Sequence, residues 1–302
     1  MKNAGVRSIL IFLALSVFLT GYGLAGLPQS AQQVPQPPPM TVEQVRGNLY
    51  LVKGGSGANT GFYVTSKGVA VIDAKMTPEA AGQMLDEIKK ITPQPVKWVI
   101  LTHSDGDHIN GLPGFPEGLE IIAHDEAKKD IEKAAADMPA LKPYLPAKTY
   151  GKSLSLPFGN QPVDLLNFGP AHTSGDTVVY FHDEKAAFVG DLAFVGRDPL
   201  IHRHKNGSAA GLIMTLRAIL DIQPPVEVFL SGHADKMTRA DVETLLKSVE
   251  EKQSKVKALI AEGKSLEEVK QTFNVQDRPA QPGRPRWLSL VEVIYLELTE
   301  KK

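Results

Sequence analysis

LTHSDGDHING, residues 101–111, places His103, Asp105, Asp107 and His108 within six positions, directly after the apolar run VKWVIL at 96–101. The run reads as a buried strand, and the cluster falls just past its C-terminal end, where α/β layers gather ligand-binding groups. Taken alone, an Asp-Gly-Asp segment reads as a turn, and a single histidine as a surface or satisfied core residue. Three later segments change that reading. FGPAHTSGDTVVYF contributes His172, AAFVGDLAF contributes Asp191 and VFLSGHADK contributes His233, each beside an apolar, strand-like run. The chain has no cysteine, which excludes disulfides, thiol nucleophiles and Cys-type zinc sites. Histidine, aspartate and glutamate remain as the strong metal ligands.

The rest of the composition sets wide bounds. A chain of 302 residues with 42% apolar and 22% charged residues can bury a substantial core. A net charge of −1 and the absence of a polybasic groove argue against a nucleic-acid partner. At the N-terminus, Lys2 and Arg7 precede an apolar run from Ile9 to Leu19, then Gly23 and Ala25 offer small side chains at the −3 and −1 positions. Residues 1–25 are therefore expected to be a secretory signal peptide cleaved after Ala25, with an uncleaved membrane anchor as the alternative. The Pro/Gln-rich stretch 26–40 reads as an extended linker. A domain spanning 41–302 would then work in the periplasm or outside the cell, with no stable membrane span after cleavage.

Within that domain, short strands are expected around residues 47–74, with Phe62 and Val64 alternating with polar or exposed neighbours and 69–72 buried. Thr77 with Pro78 marks a helix start, and Ala80, Met84, Leu85, Ile88 and Ile91 keep helical spacing. Residues 125–142 read as a helix interrupted by Pro139. Strands are expected at 162–168, 177–181, 185–189 and 226–233. Thr238 with Asp241, and Ser265 with Glu268, mark capping-box helix starts in a tail that begins at about residue 238. After the Pro-rich break DRPAQPGRPR, WLSLVEVIYLELTEK reads as a final amphipathic helix. In it, Trp287, Leu288, Leu290, Val291 and Ile294 can pack on the domain or on a second subunit.

His103-Ser104-Asp105-Gly106-Asp107-His108, then His172, Asp191 and His233, resembles the metallo-β-lactamase superfamily, whose pattern is H-x-H-x-D-H followed by a His, an Asp and a last His. The flanks NTGFYVTSKGVAVIDA, HTSGD and GHAD fit as well, so the resemblance covers roughly residues 45–240. It implies a four-layer αββα sandwich with a helical C-terminal extension and two adjacent metal ions at one edge. Position by position, His103, Asp105 and His172 would hold the first ion, Asp107, His108 and His233 the second, with Asp191 bridging. Zinc suits these donors, and iron or manganese are the alternatives. The implied activity is hydrolysis of a small ester, lactone, thioester or amide by metal-activated water, with Asp107 as the catalytic residue that orients the nucleophile and carries its proton.

Asp105 departs from the pattern, which has a second histidine there. A third carboxylate favours harder ions, so a dinuclear site of altered preference and a site with one weak position both stand open. Flavodiiron proteins carry a glutamate at this position, which keeps a di-iron oxidoreductase as an alternative; no flavodoxin-like phosphate loop follows residue 240. A non-enzymatic metal-binding protein is the third reading. Thr102, Asp73 and Asp176 are candidates for orienting ligands or for capping turns. The 196–208 segment, with His202, Arg203 and His204, is expected to be a solvated basic loop rather than a substrate entrance. His124 and His182 read as structural, and the helix at 125–138 as a possible roof of the cleft.

Overall fold

The computed structural model describes residues 37–277 and 286–300. The expected signal peptide, residues 26–36 of the linker and most of the Pro-rich break lie outside these residues. Seven strands form one sheet in sequence order: β1 Thr41–Arg46, β2 Leu49–Lys53, β3 Thr60–Thr65, β4 Gly68–Ile72, β5 Val96–Ile100, β6 Glu120–His124 and β7 Lys148–Tyr150. The first four are antiparallel and β4 to β7 run parallel. The second sheet contains β8 Ser153–Leu156, β9 Val163–Leu166, β10 Val178–Phe181, β11 Ala186–Phe188 and β12 Val228–Leu230, in the order β12-β11-β10-β9-β8. Only β11 and β12 pair in parallel there.

Side-chain alternation along the strands builds the layers. From the first sheet, Tyr63, Ala70, Ile72 and Ile100 point inward and meet Leu165, Val179, Phe181 and Phe188 of the second sheet in one buried cluster. Their neighbours Phe62, Val69, Val71 and Val99 point the other way, onto α1 (Pro78–Ile91) and, past the short turn α2 (Gly106–Ile109), onto α3 (Asp125–Asp137). On the far face, Val178, Tyr180, Ala187 and Phe229 pack beneath α4 (Ala209–Leu220), α5 (Arg239–Ala261), α6 (Leu266–Thr272) and α7 (Leu290–Thr299). The result is helix, sheet, sheet, helix. Both sheets are thus covered on both faces, so β3 is almost wholly buried, and Tyr63, between Phe62 and Val64, is 2% exposed rather than a polar or exposed neighbour.

Local signals place most element ends. Thr77 accepts a hydrogen bond from the Ala80 amide at the start of α1 with Pro78 at its first position, and Thr238 and Ser265 form full capping boxes. Each such cap contributes about 1 kcal/mol. A third box, Ser289 with Glu292, starts α7. Pro139 ends the helical run, and residues Pro139–Tyr144 continue as a 3₁₀ turn. Strands β6 to β8 and helix α4 go beyond the elements expected from sequence: Ser208 caps α4 by accepting the Gly211 amide at 3.0 Å, while pairing with neighbours makes the strands. Leu290, Val291 and Ile294 are buried against the domain, and Trp287 is exposed. No helix among the described residues is long and apolar enough to cross a membrane.

Candidate metal centre

The parallel strands β4 and β5 end side by side, and their last residues build the floor of the site. Asp73, just past β4, is wholly buried with a left-handed φ of 64°. Its carboxylate accepts the Thr102 amide at 2.8 Å and the Thr102 hydroxyl at 2.7 Å, and its Oδ2 stands 2.8 Å from His108 Nδ1. These contacts decide the imidazole tautomers. His108 Nδ1 carries the proton that Asp73 accepts, so Nε2 is left as the lone pair. Thr102 gives its single proton to Asp73, so at 3.0 Å it accepts from His103 Nδ1, and His103 Nε2 is also a lone pair. His172 Nδ1 donates to the Leu200 carbonyl at 2.8 Å, so its Nε2 is the nitrogen turned toward Asp105, at 3.3 Å, where an ion would displace its proton. Asp73 and Thr102 therefore orient the candidate ligands His108 and His103. Asp176 instead ties its own loop, accepting the Thr173 amide and hydroxyl.

The seven residues singled out in the sequence converge. His172 Nε2 lies 3.3 Å, and His103 Nε2 3.7 Å, from Asp105 Oδ2. On the other side, Asp107 Oδ2 is 2.8 Å from His233 Nε2 and 3.9 Å from His108 Nε2. Asp191 reaches 3.4 Å to His108 through Oδ1 and 3.4 Å to His233 through Oδ2, and it groups equally with His103 and His172. Donors about 2.0–2.1 Å from one tetrahedral ion stand roughly 3.3 Å apart, which is the scale of these separations. His103 Nε2, His108 Nε2 and Asp191 Oδ1 are buried and have no hydrogen-bond partner. Such orphans cost free energy unless something pairs with them. The donor set fits divalent ions.

Electrostatics point the same way. Burial opposes charge on Asp105, Asp107 and Asp191, but the surrounding imidazoles win and hold all three carboxyls below their usual range. Burial would likewise lower His172, yet the Asp105 carboxylate lifts it to about 9. Burial and the neighbouring His108 push His103 down. Burial would lower His108 too, but the Asp73 and Asp191 carboxylates raise it well above the ordinary imidazole range.

Close approach shapes the backbone as well. A Cβ on Gly232 would meet Asp191 Oδ1 at 2.4 Å and His108 Cε1 at 2.7 Å, so only glycine lets the last loop close over these two ligands.

The cluster floors a cavity of about 530 Å³. Phe194, Leu200, Trp287 and Leu290 supply apolar wall, and Arg197 and Asp198 stand at its polar side. The C-terminal segment thus reaches the site, a role no sequence signal carried. No residue of α3 lines the cavity, so it does not roof the cleft. His124 instead caps α3, accepting the Glu126 amide, and His182 pairs with Asp164.

The 196–208 segment differs from its expected solvated character. His202 is 7% exposed, lines the cavity and places Nε2 2.8 Å from Asp105 Oδ2. Lys205 Nζ lies 2.7 Å from Asp105 Oδ1. Gly196, Arg197, Asp198, His204 and Asn206 are exposed as expected, and Arg203 is half-buried and bonded to Glu300. The third carboxylate expected to add charge to the site is met by an ammonium group that sequence reading passed over.

The family model of the metallo-beta-lactamase superfamily matches residues 54–233, and the chain belongs to that superfamily. Among characterised relatives, the alpha subunit of 2,4-dinitroanisole O-demethylase from Nocardioides sp. (strain JS1661) is 26% identical over 210 residues, covering 68% of this chain and 61% of the relative. The metallo-beta-lactamase type 2 of Elizabethkingia meningoseptica is 27% identical over 255 residues, covering 78% of this chain and 94% of the relative. In fold, the chain is similar to the sec-alkylsulfatase Pisa1 from Pseudomonas sp., with a TM-score of 0.67 at 16% identity over 86% of this chain and 50% of that one. It is similar also to a metallo-beta-lactamase from Pontibacter korlensis, with a TM-score of 0.58 at 18% identity over 69% and 99% of the two chains. Superfamily membership carries a metal-dependent, hydrolase-like fold; the particular reaction rests on the site.

Proposed function

We propose that this protein is an exported hydrolase that holds two divalent metal ions, most naturally zinc, and cleaves a small ester, lactone, thioester or amide. His103, Asp105 and His172 would hold the first ion and Asp107, His108 and His233 the second, with Asp191 placed between the two sets. The observation that carries this reading is the convergence of three buried, unpartnered donor atoms, His103 Nε2, His108 Nε2 and Asp191 Oδ1. When bound, such ions polarise an acyl oxygen and lower the pKa of water from 15.7 towards ~7.

The chain's own residues supply the rest. Asp73, Thr102 and the Leu200 carbonyl hold three imidazoles with Nε2 facing the centre, so little reorganisation is left for the reaction. Asp107 lines the cavity with its carboxyl kept ionised by His233 and His108 against the pull of burial. It orients the attacking water and carries its proton to the leaving group. Phe194, Leu200, Trp287 and Leu290 exclude water from one side and favour a substrate with apolar or aromatic bulk. Likeness to an O-demethylase subunit extends the substrate class to be tested to activated aryl ethers.

The test is metal analysis of the chain from Thr41 onward, followed by hydrolysis of ester, lactone, thioester, amide, β-lactam and activated aryl ether panels. Asp107→Asn is expected to weaken the second ion and, with zinc added back to saturation, still to lose turnover by about 10²–10⁴-fold. Unchanged turnover in that variant would remove Asp107 from the chemistry.

A further inference from the structure

Asp105 sits where the superfamily pattern has a neutral imidazole, and the turn at 202–205 is built around that difference. Its Oδ1 accepts from Lys205 Nζ at 2.7 Å, and its Oδ2 lies 2.8 Å from His202 Nε2. The remaining hydrogen bonds of Lys205 go to the Ser104 carbonyl at 3.1 Å and the Ser104 hydroxyl at 3.0 Å. All three ammonium protons are thus spent on the ligand loop. Both Lys205 and Asp105 side chains are 18% exposed, so water screens the pair little. Two backbone bonds dock the same turn on the next ligand loop: the His202 amide to the His172 carbonyl at 2.8 Å and the Ser174 amide to the Lys205 carbonyl at 2.9 Å.

We infer that Lys205 is a positioning residue of the first metal site, and that the Asp105–Lys205 pair acts there as a charge-neutral surrogate for the missing histidine. The reading rests on the two-ion site proposed above. An unpaired Asp105 would offer either oxygen and add a full negative charge. With Oδ1 occupied by Lys205, one oxygen faces His103 and His172, and the pair as a whole carries the same charge as an imidazole. The site then keeps the charge balance of the histidine pattern, with two carboxylates left uncompensated, and suits the same divalent ions. His202 supports the arrangement from the other side by holding Oδ2 toward His172, against whose ring its own ring lies at 4.6 Å.

The inference makes the two residues dependent on each other in a way that a merely structural ion pair would not. Zinc content after dialysis, and zinc affinity by chelator competition, would be measured on the wild type, Asp105→His, Lys205→Gln and the double variant Asp105→His with Lys205→Met. Lys205→Gln removes the charge and keeps an N–H donor on a side chain one bond shorter. Wild type and double variant are expected to hold two zinc ions per chain. Asp105→His alone leaves the ammonium beside an imidazole and an ion, and Lys205→Gln leaves an uncompensated acid; each is expected to weaken one of the two ions by about 10–100-fold. Recovery in the double variant is the signature, since removing a lysine then restores a metal. Single variants that bind both ions as the wild type does, or a double variant no better than Asp105→His, would overturn the inference alone. A wild type that takes up no divalent ion would overturn the two-ion reading and this inference with it.

Discussion

His108 Nδ1 stands 2.8 Å from Asp73 Oδ2, and both side chains are fully buried. The pair joins the end of one strand to the short helix that carries two ligands, and it aims His108 Nε2 at Asp191. Asp73→Asn keeps the shape but weakens the acceptor and frees the tautomer. It is expected to lower affinity for the second ion by about 10–100-fold and, through Thr102 and His103, to weaken the first to a lesser degree. Zinc titration with a chromophoric chelator reads the two ions separately, and two unaltered affinities would show that Asp73 only closes a turn.

Gly232→Ala places a methyl group inside the contact radius of Asp191 and His108. The neighbours on that side are ligands rather than flexible chain ends, so the cost falls on the site. Loss of the second ion is expected together with a fall in stability of about 1–3 kcal/mol, the usual scale of overpacking. Metal content and urea unfolding measure the two effects; an alanine variant with full metal content would contradict the close approach.

His172 links the metal-free protein to pH. Its folded pKa of about 9 lies above the ordinary value of 6.5, because the Asp105 carboxylate outweighs burial. A group with a raised folded pKa adds stability that is fully present below about 6.5 and is lost as pH rises through about 9. The metal-stripped protein is therefore expected to lose part of its thermal stability across that window, and His172→Gln to lose that part of the dependence. Metal uptake must displace the same proton, so zinc affinity should rise over the same range. Thermal unfolding and zinc titration at pH 6 to 9.5 check both; equal slopes in wild type and His172→Gln would dismiss the linkage.

Export rests on residues 1–25, and the prediction there is chemical. Protein secreted by a bacterial host should begin at Gly26, seen by N-terminal sequencing of the mature chain. Retention of Met1 or Lys2 in the membrane fraction would instead favour the uncleaved anchor.

Much of this molecule was legible along the chain because its signals are local. A helix announces itself through Thr77 and Pro78, a tail helix through Thr238 and Asp241, and the ligand cluster through polar residues beside apolar runs. The strands β6 to β8 were not legible, because their short segments are strands only by virtue of their neighbours. The same holds at the site. Sequence alone picked out His103, Asp105, Asp107, His108, His172, Asp191 and His233 and marked Asp105 as the departure. That Lys205, a hundred residues along the chain from Asp105, would take Oδ1, that His202 would be buried beside it, and that Trp287 would wall the cavity depended on how distant loops meet. Residue type and spacing encode what each segment can do by itself. Charge compensation and cavity shape arise between segments, and only the packed structure decides them.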